Sequence, residues 1–133
     1  MANPNIVAVT SILGKTTYLT PSGTTAVVLL PNAAASNTVL KINQIVAANV
    51  DGTNAVDCTV SIYTNGAQAQ GSAPAGGTAF PIVSTVSIPA DASLIVVDKT
   101  TAIYLEEGTS IIGTSSIAND ITFSISYEII SSS

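Results

Sequence analysis

Histidine, arginine and tryptophan are absent from this chain of 133 residues, and cysteine and methionine occur once each. Without histidine there is no Ser-His-Asp or Cys-His arrangement and no histidine-ligated metal, which removes most hydrolase templates. Without arginine, the only cations on side chains are Lys15, Lys41 and Lys99. Nucleic-acid binding draws on clustered cations that displace counterions from phosphates, so no nucleic-acid partner is expected. The lone Cys58 excludes an internal disulfide. Long apolar runs are missing too: "TAVVLL" and "SLIVV" fall far short of the ~18 to 20 residues of a spanning helix. The mean hydropathy of +0.53 therefore does not imply a membrane partner.

Charge itself is scarce. Only 8% of residues are charged while 47% are hydrophobic, against about 25% charged in an ordinary soluble domain. Ser, Thr, Asn, Ala and Gly replace charge on the surface, and such a surface repels its own copies weakly. A chain of this size fits one domain with one core, so residues 1–133 are expected to form a single unit. The opening "MANPNIVAV" has neither a basic segment nor a sustained apolar one ahead of a cleavage site, so synthesis in a cytoplasm is expected.

Periodicity points to strands. "NDITFSISYEII" alternates Ile121, Phe123, Ile125, Tyr127 and Ile129 against Thr122, Ser124, Ser126 and Glu128, the pattern of a half-buried strand. "VDCTVSIY" places Val56, Cys58, Val60 and Ile62 on one face, so Cys58 is expected in the core rather than as a nucleophile. In "TVLKINQIVAANV" Leu40 and Ile42 share a parity that Ile45 breaks, which predicts a bulge near Asn43 and Gln44. Further strands are expected at "NIVAVTSIL", "TTYLT", "TTAVVLLPN", "PIVSTVSIP", "SLIVVD" and on both sides of Glu106 and Glu107. Eight or nine short strands at this spacing predict an all-β fold, a single-domain antiparallel β-sandwich of jelly-roll or immunoglobulin-like type.

Asp51-Gly52 and Glu106-Glu107-Gly108 both read as hairpin tips. The two glutamates are adjacent, so on a strand they would point to opposite faces and not converge as catalytic carboxylates do. "VDGTNAVD" offers Asp51, Asn54 and Asp57 to a calcium ion but lacks the terminal glutamate and helices of a calcium loop, and a turn is preferred. "GSAPAGG" lacks the lysine and helix of a phosphate loop. No cofactor or metal is expected. Sugar-binding β-domains stack sugars on exposed rings; the outward parity of Tyr63 makes it a candidate anchor. Residues 65–79, "NGAQAQGSAPAGGTA", contain four glycines and no Val, Ile, Leu, aromatic or charged residue. They predict a flexible loop insertion, or one ordered against a neighbouring subunit.

The opening "MANPNIVAVTSILGKT", the central "KINQIVAANVDGTNAVDCTVSIYTNG" and the closing "IVSTVSIPADASLIVVDKTTAIYLEEGTSIIGTSS…ITFSISYEII" resemble small virion structural proteins of tailed bacteriophages, those of cyanobacterial and aquatic hosts most of all. The likeness spans most of the chain outside residues 65–79. It implies a non-enzymatic capsid decoration, or cement, protein on the virion surface. The partners it implies are the major capsid protein and neighbouring copies of the chain, in a homo-oligomer with a trimer favoured. Residues 1–12 would serve as an N-terminal arm or edge strand able to extend a neighbour's sheet. The expected contacts are Asn3, Pro4, Asn5, Ile6 and Val7 in the arm, and Gln68, Gln70 and Pro74 in the loop. Two alternatives stand beside this reading: a tail, neck or fibre-associated module, and a carbohydrate-binding or adhesin domain.

Overall fold

The computed structural model describes residues 9–131. Nine strands follow one another: β1 (Ser11–Leu19), β2 (Val27–Asn32), β3 (Thr38–Asn49), β4 (Val56–Tyr63), β5 (Ala79–Ile88), β6 (Ser93–Val97), β7 (Ile103–Leu105), β8 (Thr109–Ser115) and β9 (Ile121–Ser131). A 3-10 turn over Lys99–Thr101 separates β6 from β7, and the Asp98 carboxylate caps it by accepting from the Thr100 amide. No helix among the described residues is long and apolar enough to cross a membrane.

The strands form two antiparallel sheets. Sheet A has the order β1-β9-β3-β6, with β7 also paired to β3, and sheet B has the order β2-β8-β4-β5. The pairings nest: β1 with β9, β2 with β8, β3 with β6 and β7, and β4 with β5. Ser11 faces Ser131, Val27 faces Gly113, Ile45 faces Val97 and Val56 faces Ile88, pairs whose midpoints are residues 71, 70, 71 and 72. The chain is thus one long hairpin folded about the middle of the 65–79 segment and rolled into a sandwich. With β6 and β7 counted as one interrupted strand, this is the jelly-roll arrangement. Of the two sandwich topologies left open by the sequence, the nesting selects this one.

The core lies between the sheets. Ile42, Ile45, Ala47, Phe123 and Ile125 from sheet A meet Leu29, Val56, Cys58, Val60 and Ile111 from sheet B. Cys58 is fully buried, as its parity predicts, and burial pushes its thiol up to about 11. Gly113 of β8 makes room for its neighbours, since a Cβ there would press on Leu29 and Phe123. The register of β3 against β9 slips between Ile42 and Gln44. The expected bulge is therefore present, and it lets both Ile42 and Ile45 reach the core.

Three sequence expectations are corrected. Asp51-Gly52 and Glu106-Glu107-Gly108 are not hairpin tips: β3 and β7 belong to sheet A, whereas β4 and β8 belong to sheet B. Both segments are arches that carry the chain from one sheet to the other. Gly108 still uses the positive φ expected of it, 76°, because the chain reverses tightly whichever strand it joins next. "TTYLT" is not a separate strand, since β1 runs unbroken from Ser11 to Leu19 through Gly14 and Lys15.

Two buried asparagines, which the sequence reading passed over, fasten these arches. Asn32 donates to the carbonyls of Thr38 and Leu105 and accepts from the hydroxyls of Ser36 and Thr38. Asn49 donates to the carbonyls of Asn54, Ile88 and Pro89 and accepts from the Asp51 amide. Each satisfies backbone groups that a crossing chain would otherwise bury unpaired.

Candidate interaction surface

The two sandwich faces that point away from the core differ in what lies on them. On sheet B, Val28, Ile112 and Tyr63 face outward and form a second apolar cluster, with Ala26 against it. The 65–79 segment lies across this cluster. The Val28 amide donates to the Ser72 carbonyl at 2.9 Å, and the Gly71 amide donates to the Val28 carbonyl at 2.8 Å. The Gly77 amide donates to the Tyr63 hydroxyl, and the Ser110 hydroxyl donates to the Asn65 carbonyl. A Cβ on Gly66 would collide with the carbonyl oxygens of Asn32 and Thr109. The absence of bulk in this segment is what lets it lie flat.

This arrangement corrects the reading of Tyr63 and gives the places of three loop residues. Tyr63 points outward, yet it is only 8% exposed, so it is not a surface anchor: the 65–79 segment covers it. Gln70 turns into its own domain, where its amide nitrogen donates to the Thr17 hydroxyl of β1 and to the Leu29 carbonyl of β2. One side chain therefore ties the edge of sheet A to the edge of sheet B. Gln68 and Pro74 are half-buried in the same segment. Asn3, Pro4, Asn5, Ile6 and Val7 lie outside the described residues.

Sheet A carries no such cover in the rows that cross its middle. Tyr18, Ser124, Val46 and Ile95 form one row across four strands, and its two ends, Tyr18 and Ile95, are 73% and 59% exposed. The next row is Thr16, Ser126 and Gln44, in which the Thr16 and Ser126 hydroxyls share a hydrogen bond. The third is Gly14, Glu128, Lys41 and Tyr104, with opposite charges on neighbouring strands. The face is flat, rich in hydroxyls and nearly neutral.

The four sheet edges also differ. β5 contains Pro81, a left-handed Thr85 (φ 52°) and two register shifts against β4, devices that blunt an edge. β2 is capped by the 65–79 segment, and β6 is short and broken from β7 by the 3-10 turn. β1 has nine residues in continuous register with β9, without proline or bulge. Gln70 hydrogen-bonds to β1 from outside its sheet, at the Thr17 hydroxyl. Ile12 and Leu13 near its start are both more than half exposed.

Where the β3 bulge meets β9 and β1, an open groove of about 420 Å³ runs between Gly14, Thr16, Asn43, Ser126 and Glu128, with Lys15 and Tyr127 completing its wall. Asn43 donates from Nδ2 to the Glu128 carboxylate at 3.2 Å, while its buried Oδ1 has no partner. Partial burial pushes the Tyr127 phenol above its ordinary value.

The carboxylates of Asp51 and Asp98 build turns. Asp51 accepts from the amides of Thr53 and Asn54 and from the Asn54 side chain, and these hydrogen bonds hold it below the usual carboxylate range. Asp57 sits on β4, where its backbone pairs with Ser116. The Glu106 carbonyl accepts from the Thr109 hydroxyl. No group of three potential metal ligands occurs among the described residues. No protein-family model, curated protein or solved structure matches the chain.

Proposed function

We propose that this chain is a non-enzymatic virion protein that decorates the outer surface of a phage head, meeting the major capsid protein and neighbouring copies of itself through the β1 edge and the open face of sheet A. The observation that carries the contact surface is the contrast among the edges: three are blunted, capped or interrupted, while β1 is long, regular and open. An extended segment of a neighbour can add to such an edge through main-chain hydrogen bonds. The virion assignment itself draws on the resemblance of the sequence to phage structural proteins. A jelly-roll serves capsid and lectin domains alike, so the fold assigns no function by itself.

The surface suits repeated attachment. Few ions have to be desolvated when the face of sheet A is covered, and a lattice of identical sites converts weak single contacts into stable attachment. Lys15 at the centre of β1 disfavours pairing of two β1 edges in register, because like charges would then face each other. The N-terminal arm, residues 3–7, belongs to this proposal as the segment offered to a neighbour.

Mass spectrometry of gradient-purified particles, counting this chain against the major shell protein, tests the assignment. Copies comparable to the shell subunit support decoration. A dozen or so copies would move the chain to the neck, tail or fibres, and absence from particles would overturn the virion reading.

A further inference from the structure

We propose that the groove at the β3 bulge is a binding site for neutral polyhydroxylated ligands, the hydroxyl-bearing faces of glycans. The inference stands independently of the virion reading, since it rests on the chemistry of the groove alone.

The bulge is the first observation. It lies in the pairing of β3 with β9, in the interior of sheet A, where no edge needs blunting. Bulges re-aim side chains and gather near binding sites, and here the bulged residue is Asn43. Its Nδ2 faces the Glu128 carboxylate, which can only accept, so its Oδ1 is the atom left buried without a donor. An unmet buried acceptor costs free energy. A small rotation of the Asn43 amide on ligand binding turns this acceptor to the groove, where a ligand hydroxyl supplies the missing donor.

The second observation is the space. Gly14 contributes no side chain to the row it shares with Glu128, and nothing lies within 4 Å of where its Cβ would be. That gap opens the groove beside the carboxylate.

The third is the balance of donors and acceptors. The Glu128 carboxylate and Asn43 Oδ1 only accept, and the Thr16 and Ser126 hydroxyls both donate and accept. A ligand whose groups both donate and accept meets all of these at once, and hydroxyls do so without carrying charge. Lys41 stands beside Glu128 on the neighbouring strand, and this balance of opposite charges favours neither an anion nor a cation. Two residues beyond Thr16, on the same face, Tyr18 presents an open ring against which the apolar face of a sugar can stack.

Titration of the 15N-labelled protein with lactose, maltose and cellobiose, followed by amide shifts, tests the site. At least one of these disaccharides is expected to bind with millimolar affinity and to move Gly14, Thr16, Asn43, Ser126 and Glu128 together, with Tyr18 at the margin. Gly14→Phe fills the groove from an exposed edge strand, where the added ring meets open space, and is expected to abolish the shifts without changing Tm. Glu128→Gln is expected to weaken binding roughly tenfold by exchanging a charged acceptor for a neutral one. Absence of localised shifts with all three sugars would overturn the proposal. Equal binding by Gly14→Phe, or the same shifts produced by acetate or methylammonium instead of sugar, would overturn it as well.

Discussion

Tyr18 and Tyr63 occupy comparable places, each on the outward face of a strand in a four-strand sheet row, yet one is 73% exposed and the other 8%. The difference is not in the strands. It lies in residues 65–79, which cross the outward face of sheet B and leave that of sheet A bare. A segment without a single large apolar residue thus decides which outward face of the sandwich is covered and which stays bare. It does so with backbone hydrogen bonds to Val28 and with the side chain of Gln70, and its glycines allow the close approach.

The sharpest way to break this comparison is to truncate both tyrosines. Tyr63→Ala is expected to cost about 3 kcal/mol or more in urea unfolding, as for other buried aromatic residues, while Tyr18→Ala should stay within about 0.5 kcal/mol of the parent. Equal costs would mean that the two faces are not distinguished as described.

Glycines give the next contrast. Gly66→Ala drives a methyl group into the Asn32 and Thr109 carbonyls and is expected to cost about 1–3 kcal/mol, the range of overpacked sites. Gly14→Ala, facing open space, should be close to neutral.

Gln70→Ala removes the tie between β1 and β2. A loss of about 1 kcal/mol is expected, with faster hydrogen exchange at the Val28 and Gly71 amides and no change at the paired amides in the middle of β9.

The smallest effect concerns acid. The carboxyls of Asp51 and Asp98 are both held below 3.8 by hydrogen bonds, at Asp51 chiefly from the Thr53 amide and at Asp98 chiefly from the Thr100 side chain. A depressed carboxyl stabilises the fold above its unfolded value, and that contribution disappears as pH falls through the folded one. Asp120 works in the opposite sense, raised by desolvation and by Asp51 beside it. Thermal melts from neutrality to below pH 3.8 should therefore show Tm falling at the acid end, by less in Asp98→Ala than in the parent. An equal fall in both would remove Asp98 from the account.

Much of this fold is legible in the sequence because it is written in local alternation. β9, the inward parity of Cys58 and the bulge at Asn43 all follow from counting residues by two. Pair partners are not written locally. Asp51-Gly52 and Gly108 carry real turn chemistry, but a turn residue says only that the chain reverses. Whether the next strand joins the same sheet or the opposite one depends on pairings as distant as Ser11 with Ser131. The interaction surface is less legible still. Outward parity correctly orients Tyr63, but the cover over it comes from a segment whose composition reads as a bare loop. The groove at Asn43 needed Gly14 of β1 and Glu128 of β9 brought beside β3, a meeting no motif announces. One signal was available: a parity break within a long central strand, at a polar residue, marks a place where a side chain is re-aimed.

Hydroxyl-radical footprinting of the free protein and of the same protein on purified particles tests most directly whether the bare face of sheet A is the contact surface. The account predicts that oxidation of Tyr18, Ile12 and Leu13 falls sharply on particles while Tyr63 stays equally protected in both states. Unchanged labelling of Tyr18 and β1 on particles, with new protection over residues 65–79 instead, would contradict it.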